Sequence, residues 1–186
     1  MTDRVDDAFA AQPRAGFLPP GQRRNAAWDA PLQIGHGQTS SQPSTVARML
    51  RLLDVPPGAR VLDVGAGSGW TTALLAHLVG PGGTVLGVEL EPDLATWGAA
   101  NVAATGQPWA RVVAADRTVL GAPDEGPYDR ILVSAEARAL PGALVDQLAD
   151  AGRMVVPVDR GLEVVQRTSD GYTVTRYEGY RFVPLR

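Results

Sequence analysis

The chain has 186 residues, with 20 acidic and 17 basic side chains and no cysteine. This length suits one domain that buries its core without disulfides or metals, and the lack of thiols excludes a disulfide framework, a thiolate nucleophile and a cysteine-bound zinc. The net charge of -3, with every basic residue an arginine and none clustered, gives no field for a phosphate backbone, so a peptide or small molecule is the expected partner and nucleic acid is not.

The opening "MTDRVDDAFAAQPR" is acidic and lacks the apolar core of a signal peptide, and no later run approaches the roughly 20 apolar residues of a membrane span. A soluble, cytoplasmic protein with no membrane contact is therefore expected; a monomer is expected as well, though not from these segments. Residues 1–57 read as helical pieces and proline-containing loop, too short for a core of their own and hence part of the same domain as residues 58–186. Within them "GHGQTSSQP", residues 35–43, is a polar loop without an aliphatic side chain, followed by the helical run "STVARMLRLL".

From "ARVLDVGAGSGW" onward the pattern is regular. An apolar strand runs into a glycine turn and then a helix, "TTALLAHLV", with Leu74, Leu75, Leu78 and Val79 at helical spacing. Next come the strand "GTVLGVEL" and the helix "DLATWGAANVAAT", which Asp93 can cap and Gly106 can stop. "ARVVAAD" and "YDRILVSA" read as the third and fourth strands, "PGALVDQLADAG" as a helix closed by Gly152, and "RMVVPV" as the fifth strand. The tail, "LEVVQRT", "YTVTRYEGY" and "RFVPL", alternates with period two around an "SDG" turn and predicts antiparallel strands added to the sheet. The fold class is α/β: a doubly wound, Rossmann-like sheet, mostly parallel, covered on both faces and extended by an antiparallel C-terminal addition.

Three features point to a ligand at the carboxyl ends of the strands, the usual binding edge of such a sheet. Gly65, Gly67 and Gly69 follow the first strand and let backbone approach a ligand; with Trp70 where a dinucleotide fingerprint places its last glycine, the spacing disfavours a pyrophosphate and hence an oxidoreductase. Glu89, ending the second strand, is placed to accept both ribose hydroxyls of an adenosine, and Asp116, ending the third, to accept from an adenine amine. Together they favour S-adenosylmethionine. Asp63 either holds amides of the glycine loop or meets the cofactor's ammonium group. His77 reads as a packed or surface side chain, Trp97 and Trp109 as core or cleft wall, and no residue is assigned to a metal.

The chain resembles the protein-L-isoaspartate O-methyltransferases nearly end to end, through "PRAGFLP", "PLQIGHGQTSSQP", "VARML", "VLDVGAGSGW", "PYDRILVSA", "LVDQLADAGRMVVPV" and "RFVPL". The resemblance implies methyl transfer from S-adenosylmethionine to L-isoaspartyl residues, and possibly D-aspartyl ones, of damaged proteins or peptides, the ester then collapsing to a succinimide. It implies cofactor contacts from Thr39, Ser40, Ser41, Asp63, Gly65, Gly67, Ser68, Gly69, Glu89, Leu90, Asp116 and Arg117, with the Ser41 hydroxyl aimed at the methyl donor and the accepting carboxylate. His36 is expected to make a loop hydrogen bond rather than to act in catalysis. Four departures stand out: Arg117 and Asp159 occupy positions where the family has glycine, Ser40 replaces an isoleucine, and Glu136, expected to repel a free carboxylate or pair with Arg117 or Arg138, stands in a segment usually uncharged. They leave two alternatives: a specialised homologue that methylates an aspartate in one dedicated peptide, and a non-catalytic adenosine-binding module.

Overall fold

The computed structural model describes residues 3–185. Its framework is a seven-stranded sheet in the order β5-β4-β3-β6-β7-β8-β9, built from β3 (Arg60–Val64), β4 (Thr84–Glu89), β5 (Ala110–Ala114), β6 (Tyr128–Val133), β7 (Leu148–Val158), β8 (Gly161–Thr168) and β9 (Gly171–Glu178). The strands from β5 to β7 are parallel, and β8 and β9 continue the sheet antiparallel. Strand order reverses at β3, which pairs with β4 on one side and β6 on the other. A crevice at the carboxyl ends of the strands is expected at such a switch point.

Strand alternation sorts side chains to two cores. Val61, Val85, Leu132 and Val155 face the cluster that contains Leu74 and Leu75 of α3 (Trp70–Val79), while Leu62, Leu86, Ile131 and Met154 face the opposite cluster. Helix α4 (Pro92–Ala103) packs beside α3 and over β5. Proline fills its first position and Glu91 is the cap residue, so Asp93 lies inside the first turn and does not cap the helix. Its carboxylate instead lies 3.6 Å from His36 Nε2.

The N-terminal segment joins the same core. In α1 (Arg4–Ala11), capped by the Asp3 carboxylate accepting from Val5 N–H, Val5 and Ala8 are buried; in α2 (Pro43–Leu53), Val46, Met49, Leu50 and Leu53 are buried, and all six belong to the cluster of Leu74. Between the two helices, part of the stretch expected to be polar loop forms a hairpin of β1 (Leu32–Gly35) and β2 (Gln38–Ser40), turning at His36 and Gly37, both with positive φ. Its apolar side chains, Leu32 and Ile34, are buried with Leu18 and Leu94.

Two expected elements differ. The helix over 141–152 shrinks to one turn, α5 (Gly142–Val145), and Leu148–Gly152 belong to β7. Gln147 ends the turn by donating to Leu120 O and Ala143 O and accepting from Ala122 N–H, and Leu148 then pairs with Tyr128. Sheet pairing has overridden a helical pattern. "RFVPL" does not add a strand; it passes the segment that follows β6, where Pro184 forms an isolated parallel bridge with Glu136.

Asp159 and Arg160 form the β7–β8 turn with φ of 41° and 64°, a left-handed pair that explains why glycine suits this corner. Arg176 steadies it by donating to Val158 O and Asp159 O.

Candidate active site

The crevice at the switch point is a cavity of about 450 Å³. Three successive strand ends supply its floor and one wall: Gly65, Gly67 and Ser68 after β3, Glu89 and Leu90 at the end of β4, and Asp116 and Arg117 after β5. Thr39, Ser40 and Ser41, from the end of the hairpin, line the opposite wall. Ten of the twelve residues proposed from the sequence therefore meet around one space, the exceptions being Asp63 and Gly69.

Gly69 serves the packing behind the turn. With φ of 86° it is the cap residue of α3, and a Cβ there would stand 2.8 Å from Gly98 O and from Val102 Cγ2. The glycine turn thus rests directly on α4. Gly67, in the middle of the turn, lines the cavity, and a Cβ there would come 3.1 Å from Ile34 Cδ1. The carboxylate that holds the turn is Glu89: Oε2 accepts from Gly67 N–H at 2.8 Å and Oε1 from Glu91 N–H at 3.0 Å.

Asp63 accepts from none of the glycine-loop amides and is not among the residues that line the cavity. Fully buried on the α3 side of β3, it accepts through Oδ2 from the hydroxyls of Thr71 and Thr72, both at 2.7 Å. Gly87, its partner on β4, makes room, since a Cβ there would stand 2.7 Å from Thr72 Oγ1. Oδ1 has no hydrogen-bond partner among the described residues. Desolvation, opposed by the two threonines and reinforced by Glu89, pushes the Asp63 pKa up from 3.8 to about 6.

A carboxyl with a raised folded-state pKa holds its proton more tightly in the folded than in the unfolded chain. The stability this contributes is complete below pH 3.8 and is lost as pH rises through about 6. Asp63→Asn keeps an acceptor for both threonines and removes the titration. Paired thermal melts should therefore show the variant gaining on the parent between about pH 4 and pH 8, by on the order of 3 kcal/mol. A difference between the two proteins that is constant over this range would show that Asp63 is not perturbed.

At the third strand end, Asp116 is exposed, and its Oδ1 accepts from Thr118 N–H and Oγ1, which holds its pKa below the usual carboxylate value. Arg117 is also exposed and forms no ion pair among the described residues. The expected pairing of Glu136 with Arg117 or Arg138 is absent. Glu136 holds the tail instead: its Oε2 accepts from Phe182 N–H, its N–H donates to Val183 O and its carbonyl accepts from Leu185 N–H. Through this ladder Val183, Pro184 and Leu185 become cavity wall, a contribution that alternation in "RFVPL" did not reveal.

Arg14 is the other residue missed. It is 5% exposed, and its guanidinium donates to the carbonyls of Ala26, Trp28, Ala30, Ser40 and Ser41 and to Ser40 Oγ. It also stacks over the Trp70 ring, at 5.4 Å from the centroid. The Ser40 hydroxyl is thus engaged from behind the cavity, a polar contact that isoleucine would not make. His36 lies at the exposed hairpin tip and its carbonyl accepts from Gln38 Nε2, in keeping with a loop role. Of the other residues, His77 is exposed, Trp109 donates to Ala76 O at the edge of the core, and Trp97 packs with Leu18 and Leu94.

The family model described as protein-L-isoaspartate(D-aspartate) O-methyltransferase matches residues 1–186. The protein-L-isoaspartate O-methyltransferase of Aeropyrum pernix is 47% identical over 98% of this chain and 72% of its own, and that of Methanopyrus kandleri 45% identical over 99% and 84%. Among solved structures, a Plasmodium falciparum beta-aspartate methyltransferase in complex with S-adenosyl-L-homocysteine superposes with a TM-score of 0.84 at 27% identity, covering 100% of this chain and 91% of that one. The chain belongs to the protein-L-isoaspartate O-methyltransferase family.

Proposed function

We propose that this protein transfers a methyl group from S-adenosylmethionine to the free carboxylate of L-isoaspartyl residues, and of D-aspartyl ones, in damaged proteins and peptides. The observation that carries this reading is the convergence of the glycine turn, Glu89, Asp116 and Ser41 on one cavity at the switch point of the sheet. Its volume of about 450 Å³ falls in the range of pockets that enclose a small-molecule cofactor. The residues fit an adenosine: Glu89 for the ribose hydroxyls, Asp116 for the adenine amine, and Gly65, Gly67 and Ser68 where backbone must come close, with Leu90 and Arg117 alongside and Thr39 and Ser40 opposite. When bound, S-adenosylmethionine supplies an electrophilic methyl group.

The protein's own task is mainly positioning. A carboxylate with a reference pKa near 4 is already ionised at neutral pH, so no general base is needed. It must shed water, and Ser41 offers a hydroxyl donor in replacement while fixing the orientation of the reacting oxygen. Arg14 holds Ser41 by its carbonyl, which leaves the hydroxyl free for this contact. After transfer, the amide nitrogen of the following residue attacks the ester carbonyl and expels methanol, closing a succinimide without help from a side chain.

A dedicated peptide substrate is not favoured. Relatives at 47% and 45% identity carry the general repair-enzyme name, and three of the four departures now have local structural accounts: Ser40 bonds Arg14, Asp159 sits in a turn, and Glu136 holds the tail.

The proposal includes a monomer that works in the cytoplasm, without nucleic acid, and residues 1–57 acting with 58–186 as one domain. In support of the lack of a nucleic-acid partner, the net charge is -3. No helix among the described residues is long and apolar enough to cross a membrane.

Ser41→Ala tests the positioning role. Turnover on an isoaspartyl peptide should fall by about 2–3 kcal/mol of transition-state stabilisation, roughly 30- to 150-fold, while cofactor affinity stays within about twofold. Undiminished turnover would show that the hydroxyl is structural.

A further inference from the structure

The cavity accounts for a cofactor and one carboxylate, but a peptide substrate also has a chain on either side of the damaged residue, and that chain must lie outside the cavity. An aromatic residue with no assigned role shares the Arg14 guanidinium with Ser41 through its backbone carbonyl. Trp28 is 59% exposed, whereas Trp70 is 4% exposed and Trp97 and Trp109 are packed against apolar clusters. The Trp28 indole N–H donates to no group among the described residues, while those of Trp70 and Trp109 donate to carbonyls.

Its backbone is fixed on both sides. Trp28 N–H donates to Asn25 O, and Trp28 O accepts from Arg14 Nη1 at 3.1 Å. The same guanidinium reaches Ser41 O through Nη2 at 2.9 Å, so one side chain ties Trp28 to the site. The next residue, Asp29, accepts from Ser44 N–H and Gln42 Nε2, both at 2.9 Å, which anchors the strap to the start of α2 immediately beyond Ser41. A rigid support with an exposed, unpaired indole is an economical way to bind a peptide, since a Trp side chain has only two rotatable bonds to order and offers a broad apolar face with a donor at its edge.

We propose that Trp28 is a docking platform for the substrate peptide, with its ring against an aromatic or aliphatic side chain next to the isoaspartyl residue and its N–H toward a peptide carbonyl. This inference rests on the methyltransferase reading above. The occupant is a peptide rather than the cofactor, because Trp28 is not among the residues that line the cavity.

The test uses two isoaspartyl hexapeptides that differ only in the neighbouring residue, tyrosine or glycine. Trp28→Ala should raise KM for the tyrosine peptide about tenfold with kcat, cofactor affinity and melting temperature unchanged, Trp28→Phe should recover most of the loss, and the glycine peptide should show a much smaller effect. Binding of the tyrosine peptide to protein saturated with S-adenosylhomocysteine, followed by calorimetry, separates this proposal from the one it rests on. Unchanged KM and unchanged peptide binding in an active Trp28→Ala protein would overturn the platform. A parent protein that methylates neither peptide but binds the tyrosine peptide through Trp28 would overturn the methyltransferase reading and keep the platform. One that neither methylates nor binds would overturn both.

Discussion

Glu89→Ala is expected to weaken S-adenosylmethionine binding by about 3–4 kcal/mol, two to three orders of magnitude in Kd, because the residue does two jobs. On the proposed function its carboxylate, at the end of β4, accepts from the ribose hydroxyls, and each charge-assisted hydrogen bond of this kind is worth roughly 1.5–3 kcal/mol. It also accepts from Gly67 N–H and Glu91 N–H, which fixes the glycine turn before a ligand arrives. The alanine variant loses both. Glu89→Gln retains one acceptor oxygen but sets an amide donor against one of those two N–H groups, so its affinity should lie between parent and alanine variant. Calorimetry with S-adenosylhomocysteine measures the series, and a Glu89→Ala protein that binds like the parent would place the ribose elsewhere.

Arg14→Ala should show the largest loss of stability, about 4 kcal/mol in urea unfolding. Truncation strands a set of inward-facing carbonyls, and a buried acceptor left without a partner costs roughly 1–3 kcal/mol. The guanidinium itself is held below its ordinary pKa by burial, offset by nearby Asp29. It is nonetheless charged at any working pH, as an arginine remains ionised in proteins. Arg14→Lys keeps the charge but lacks a planar fork able to reach several carbonyls and stack on Trp70, so it should recover only part of the loss. In both variants turnover should fall more than cofactor affinity, since the clamp acts on Ser40 and Ser41 and not on Glu89. Unfolding within about 1 kcal/mol of the parent would contradict the clamp.

Most of the sheet was legible because it is periodic. Strands β3 to β6 are short apolar runs between turn signals, and the acids at the ends of β4 and β5 follow from chain direction once the strands are placed. The helix expected over 141–152 failed for a nonlocal reason: the side chain of Gln147 and the pairing of Leu148 with Tyr128 are tertiary interactions that no pattern within the segment records. Asp63 illustrates the same limit at the site, since its partners depend on which face of β3 it occupies and on the space left by Gly87.

Arg14 was hidden for a different reason. In a chain whose basic residues are all arginine, one buried guanidinium cannot be told by composition from sixteen others, and only the convergence of distant carbonyls marks it. The cavity wall formed by Val183, Pro184 and Leu185 was likewise invisible, because alternation predicts a strand without saying what the segment will pair with. Which residue types stand at the strand ends was legible; a clamp formed by distant carbonyls was not.

The most direct measurement of the central claim is methyl transfer from labelled S-adenosylmethionine to a short peptide made in isoaspartyl and normal aspartyl versions, with Ser41→Ala alongside the parent. The structure predicts labelling of the isoaspartyl peptide by the parent, little or none of the aspartyl one, and a fall of roughly 30-fold or more in turnover for the variant. Absence of labelling from the isoaspartyl peptide by a protein that binds the cofactor would contradict it.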